Sequence, residues 1–101
     1  MFSMAHRDAP LEKTIVAKVI AVAKSRGWYA IKIHGGAYQL AGIPDVLAIK
    51  DGRAVWMEAK RPGEEPTKRQ VHRMRELIRA GCPCAVVTSA GDATEFLEAI
   101  G

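Results

Sequence analysis

Apolar residues recur along the first part of the chain at helical spacing. Leu11, Ile15, Val19 and Val22 share one face, and Lys13, Ala17, Ala21 and Lys24 mark the opposite one. The pattern predicts a helix that opens near Pro10, a residue suited to the first helical position, and stops at Gly27. Glu12 favours the helix dipole, but its spacing to Ile15, Val16 and Val19 puts it on the core side, where a carboxylate needs a partner. Residues 28–34 alternate and predict a first strand, followed by a loop with three glycines from His34 to Gly42. Two further strands, 45–50 and 53–60, flank Asp51-Gly52, a strong hairpin signal. After the polar stretch 61–66, Thr67 opens a helix to about Ala80, with Val71, Met74 and Ile78 as its stripe and Gly81 as its cap. Residues 84–88 form a fourth strand, and Asp92-Ala-Thr-Glu95 resembles a capping box ahead of Phe96, Leu97 and Ile100. The order α-β-β-β-α-β-α predicts an α/β domain, a mixed four-stranded sheet flanked by helices. Residues 1–8 read as a flexible tail and 9–101 as a single domain.

Length narrows this further. A chain of 101 residues makes one domain, burying roughly 60–65% of the surface its unfolded form exposes, which excludes a large barrel or a two-domain cleft. Its apolar stretches are far shorter than the roughly 20 residues that span a bilayer. The first eight residues lack the basic-then-apolar order of a signal peptide, so a cytoplasmic protein is expected. Cys82 and Cys84 are too close in one strand for an unstrained disulfide and read as small apolar residues.

The charge is unevenly placed. Net charge is +4 with histidine neutral, and residues 60–79 hold seven basic against three acidic side chains, so this segment carries all of it. Such a field suits a polyanion, nucleic acid above all; the competing reading is a solvated, arginine-rich helix face.

The hairpin has a geometric consequence. If Asp51-Gly52 is a two-residue turn, Lys50 opposes Arg53, and five steps further along Asp45 opposes Glu58 on one face. Two opposed carboxylates repel. Lys60, two residues after Glu58 and so on its face, could compensate them, and so could a divalent cation; all-oxygen donors suit Mg2+ or Mn2+. Alternatively both acids splay outwards at a frayed sheet end, against which stands the apolar setting of Glu58 in Val55-Trp-Met-Glu-Ala.

Gly42-Ile-Pro-Asp45, twelve residues, then Glu58-Ala-Lys60 resembles the PD-(D/E)xK nuclease signature, with Glu12 on the preceding helix and Gln70 on the following one. Within that superfamily the G-x-P-D strand start, the E-x-K and the T-x-x-Q helix (Thr67 to Gln70) resemble the VRR-NUC, or virus-type replication-repair nuclease, domain, from about Leu11 to Thr88. The resemblance implies a restriction-endonuclease-like fold and metal-dependent hydrolysis of phosphodiester bonds in DNA. Asp45 and Glu58 would ligate Mg2+ or Mn2+ with the backbone carbonyl of Ala59, and Glu12 would bind a water on that ion or a second ion. Lys60 would orient or deprotonate the attacking water. Gln70 would steady the site, although Thr67-Lys-Arg-Gln70 is equally a capping box.

Stand-alone members of the family pair and cut branched DNA. A homodimer resolving four-way (Holliday) junctions is therefore expected, with Lys68, Arg69, Arg73 and Arg75 on the DNA and Tyr38, Leu40 and Ile43 near the dimer interface. The rival expectation is a DNA-binding module derived from a nuclease that cleaves nothing. His34 and His72 read as phosphate contacts or simply exposed, Trp56 as core, and Tyr38 as a weak base-stacking candidate.

Overall fold

The computed structural model describes residues 10–35 and 40–101. Within them lie α1 (Glu12–Ser25), β1 (Tyr29–Lys32), β2 (Val46–Lys50), β3 (Arg53–Ala59), α2 (Lys68–Arg79), β4 (Cys84–Val87) and α3 (Ala90–Ile100), in the expected α-β-β-β-α-β-α order. The proposed tail, Gly36 and Tyr38 fall outside the described residues.

The four strands form one mixed sheet in the order β1-β2-β3-β4. The β1–β2 and β2–β3 pairs are antiparallel, and β4 runs parallel to β3 after the α2 crossover. Asp51 and Gly52 both have positive φ, 51° and 77°, the pattern of a two-residue turn whose twist matches that of the strands. Lys50 consequently opposes Arg53, and the register runs on to Val46 opposite Met57.

Side chains alternate between two unlike faces. One carries Ala30, Val46, Ala48, Val55, Met57, Ala59 and Val87, all buried under α1 and α3. From α1 the core takes Ile15, Val16, Val19 and Ala23, and from α3 Ala93 and Leu97. The other face carries Tyr29, Ile31, Leu47, Ile49, Trp56 and Glu58. Of the strands, α2 packs mainly on β4, so it covers only one side of this second face.

Three sequence expectations shift. Leu11 is the N-cap of α1 and more than half exposed, so the buried stripe is Ile15, Val16, Val19 and Ala23. Helix α3 starts earlier than Asp92. Ser89 is its N-cap and accepts from the Asp92 N–H, while the Asp92 carboxylate accepts from the N–H and hydroxyl of Thr88. Trp56 is half-buried on the second face rather than part of the closed core.

Candidate active site

The β2–β3 register brings two carboxylates together at the sheet end farthest from the hairpin turn. Asp45 directly precedes β2 and is fixed by backbone at two points: its carbonyl accepts from the Ile33 N–H (2.7 Å), and its Oδ2 accepts from the Ala59 N–H (2.9 Å). Glu58, the penultimate residue of β3, is 1% exposed. Its Oε2 accepts from Gln70 Nε2 at 3.0 Å and lies 3.8 Å from Lys60 Nζ. Its Oε1 is buried with no hydrogen-bond partner among the described residues. Lys60 is also buried, its backbone tied to β4 through the Val87 carbonyl (3.0 Å).

Glu12 completes the group from the first turn of α1. One carboxylate oxygen from each of Glu12, Asp45 and Glu58 lies within 4.8 Å of the others. Burial, then the Asp45 carboxylate, pushes the Glu58 carboxyl up to about 8; Lys60 opposes this and Glu12 adds to it. A buried carboxylate with one oxygen lacking a donor, clustered with two further carboxylates, is costly unless a proton or a cation joins it. The donor set is all oxygen and fits a hard divalent cation such as Mg2+ or Mn2+.

Gln70 caps α2 and also reaches Glu58. Its Oε1 accepts from the Thr67 N–H (2.9 Å) and its N–H donates to Thr67 Oγ1 (3.1 Å), which closes the capping box. The remaining amide nitrogen then points at Glu58. One side chain thus caps α2 and occupies one oxygen of the buried acid.

Gly42 fits its place for steric reasons. It has φ +88°, and a Cβ there would come within 2.9 Å of the Arg69 backbone carbonyl oxygen. Gly42→Ala is expected to cost about 1–3 kcal/mol through strain at this φ and that clash, read as a lowered melting temperature. A wild-type melting temperature would show that the loop yields without loss.

Known proteins resemble this chain in sequence and in fold. No family model matches the sequence. "Putative nuclease p44" of Acyrthosiphon pisum secondary endosymbiont phage 1 is 30% identical over 100 residues, covering 93% of this chain and 95% of that protein. Two solved structures, titled "VRR_NUC domain" and "VRR_NUC domain protein", superpose with TM-scores of 0.73 at 19% identity. The first alignment covers 86% of this chain and 94% of the other; the second covers 90% and 88%. The chain belongs to the family of this phage nuclease, and its fold is that of the VRR-NUC domains.

On this VRR-NUC fold the four basic residues expected on DNA separate into two kinds. Lys68, Arg69 and Arg75 are exposed on α2. The Arg73 side chain is only 20% exposed: its Nε donates to the Ala41 carbonyl (2.9 Å) and one terminal nitrogen donates to Glu76 Oε1 (2.9 Å). Nothing in the sequence distinguishes Arg73 from its neighbours except Glu76 three residues later, a helical pairing distance. Both His34 and His72 are exposed, with His72 Nε2 3.6 Å from Glu76. Cys84 opens β4, and burial pushes its thiol up to about 11, as befits a packing residue rather than a nucleophile. Among the described residues no helix is long and apolar enough to cross a membrane.

Proposed function

We propose that this protein is a VRR-NUC nuclease, a divalent-metal-dependent DNA endonuclease that works as a homodimer on branched DNA, four-way junctions in particular. The observation that carries the proposal is the convergence of Glu12, Asp45 and Glu58 beside Lys60, with Glu58 Oε1 buried and unpartnered. Asp45, Glu58 and the Ala59 carbonyl would hold Mg2+ or Mn2+, with Glu12 in reach of the same ion, of a water on it, or of a second one. Such an ion polarises a phosphate oxygen and makes water a nucleophile at neutral pH. The chain supplies the rest. The Ala59 N–H and the Ile33 N–H hold Asp45 still, and Gln70 orients Glu58. Lys60 Nζ, 3.8 Å from Glu58 Oε2, would offer an N–H donor and a positive charge to the attacking water and the phosphate. Lys68, Arg69 and Arg75 supply the attraction to the DNA backbone.

The second face of the sheet supports pairing. Tyr29 is 66% and Ile31 38% exposed on β1. The register sets Tyr29 beside Ile49, Ile31 beside Leu47 and Leu47 beside Trp56. This apolar strip crosses three strands and ends at Asp45 and Glu58, and soluble monomers rarely leave a continuous apolar patch bare. We place the dimer contact there rather than on the glycine loop, where Tyr38 lies outside the described residues, Leu40 is exposed and Ile43 half-buried. A twofold pair carries two sites, as a symmetric junction requires.

The test combines sedimentation at micromolar concentration with cleavage of labelled junction and linear DNA in Mg2+, Mn2+ or EDTA. The expected result is a dimer, cleavage only with metal, and preference for the junction. Tyr29→Glu, at an exposed position, is expected to give a folded monomer that has lost junction cutting. An active wild-type monomer near 11 kDa would refute the dimer. DNA binding without cleavage in either metal would leave the non-cleaving module as the function.

A further inference from the structure

Arg73 belongs by sequence to the basic segment of α2, but its contacts point inwards. Its guanidinium holds the Ala41 carbonyl through Nε and the Glu76 carboxylate through a terminal nitrogen, both at 2.9 Å. Two donors at fixed angles, both engaged, orient the planar fork. Ala41 precedes Gly42, which presses against the Arg69 backbone so closely that a Cβ would not fit. Asp45 follows three residues later, after the buried Pro44. The segment leading into Asp45 is thus fastened to α2 at two adjacent points. The same helix, one turn earlier, holds Glu58 through Gln70. Met74 is the buried residue of α2, with Val71 and Leu77 half-buried beside it, and these polar ties add to that packing. One helix is therefore tied both to the approach of the first carboxylate and to the second carboxylate itself.

We propose that Arg73 is a positioning residue: by tying α2 to the Ala41–Asp45 approach, it keeps Asp45 at ligating distance from Glu58. This rests on the reading that the two carboxylates share a divalent ion. It assigns Arg73 to the metal site rather than to the phosphate backbone, where its charge alone would put it.

The test measures two affinities separately. Mn2+ binding to the DNA-free protein is followed by calorimetry, and the salt dependence of junction binding is followed without added metal. Arg73→Gln is expected to weaken Mn2+ binding about 10–100-fold, the range for loss of a supporting partner in a metal site, and to leave the salt slope unchanged. Arg75→Gln, at an exposed position, is expected to do the reverse, lowering the slope by up to about 0.9 and keeping Mn2+ affinity. Arg73→Lys keeps the charge but lacks the fork, so it is expected to lose Mn2+ affinity as Arg73→Gln does. If Arg73→Gln fails to fold, Glu76→Gln serves instead. It frees one side of the fork and raises net charge, so Mn2+ affinity is expected to fall while DNA binding holds or tightens. Wild-type Mn2+ affinity in Arg73→Gln, or in Glu76→Gln where that variant stands in, would overturn the positioning role alone. So would full recovery in Arg73→Lys. Failure of the wild-type chain to bind Mn2+ would instead overturn the metal site on which the inference rests.

Discussion

Asp45→Asn is expected to abolish cleavage while leaving the fold and DNA binding largely intact. The substitution is nearly isosteric. An amide oxygen can still accept from the Ala59 N–H, and the backbone bond from Ile33 is untouched, so the sheet end keeps its shape. What is lost is the negative charge, in a cluster whose other carboxylates are Glu12 and Glu58. Even the removal of a supporting partner lowers metal affinity or activity about 10–100-fold, and loss of a ligand should exceed that. On the proposed reading, DNA affinity comes mostly from phosphate contacts made elsewhere, on α2, and should change little. Junction cleavage and junction binding, measured on the same preparation, separate the two effects. Cleavage within tenfold of wild type would remove Asp45 from the site.

The placement of Asp45 was legible because it follows from one local decision. Asp-Gly favours a two-residue turn with both φ positive, and once that turn forms every cross-strand pair is determined. The convergence of Glu12 was foreshadowed by its phase on α1, on the side of Ile15, Val16 and Val19. Other features depend on tertiary contacts that no local pattern encodes. The sequence shows Asp92-Ala-Thr-Glu95 as the capping frame, but the helix starts at Ser89, and the Asp92 carboxylate gains the Thr88 hydroxyl and N–H instead. Alternation puts Trp56 on the face of Glu58 but says nothing of whether a helix covers it. Arginine content signals a basic field; whether Arg73 spends its donors on a phosphate or on the Ala41 carbonyl depends on a loop over thirty residues away in sequence.

The second large effect concerns pH and metal together. In the metal-free protein the Glu58 carboxyl sits at about 8, against 4.5 as its ordinary value, mainly because burial and then Asp45 disfavour its charge. Below pH 4.5 the folded and unfolded chains both hold this proton, and the stabilising contribution is complete. Above it the unfolded chain ionises while the folded chain keeps its proton, so stability falls as pH rises towards about 8. The slope for one such group is at most about 1.4 kcal/mol per pH unit. Asp92 works in the opposite sense, since its bonds to Thr88 hold its carboxyl below the usual range. Its contribution is lost only as the solution becomes strongly acidic, outside this window. Metal-free melting temperature is therefore expected to decline between about pH 5 and 8. A saturating divalent cation takes the place of the proton, so it should stabilise the fold most at the alkaline end and flatten or reverse the decline. Glu58→Gln, which is uncharged at every pH, is expected to lose both the decline and the metal response. Thermal melts from pH 5 to 8, with EDTA or excess Mg2+, provide the measurement. A decline that persists in Glu58→Gln would assign it to another group, and a metal response that persists there would move the cation site away from Glu58.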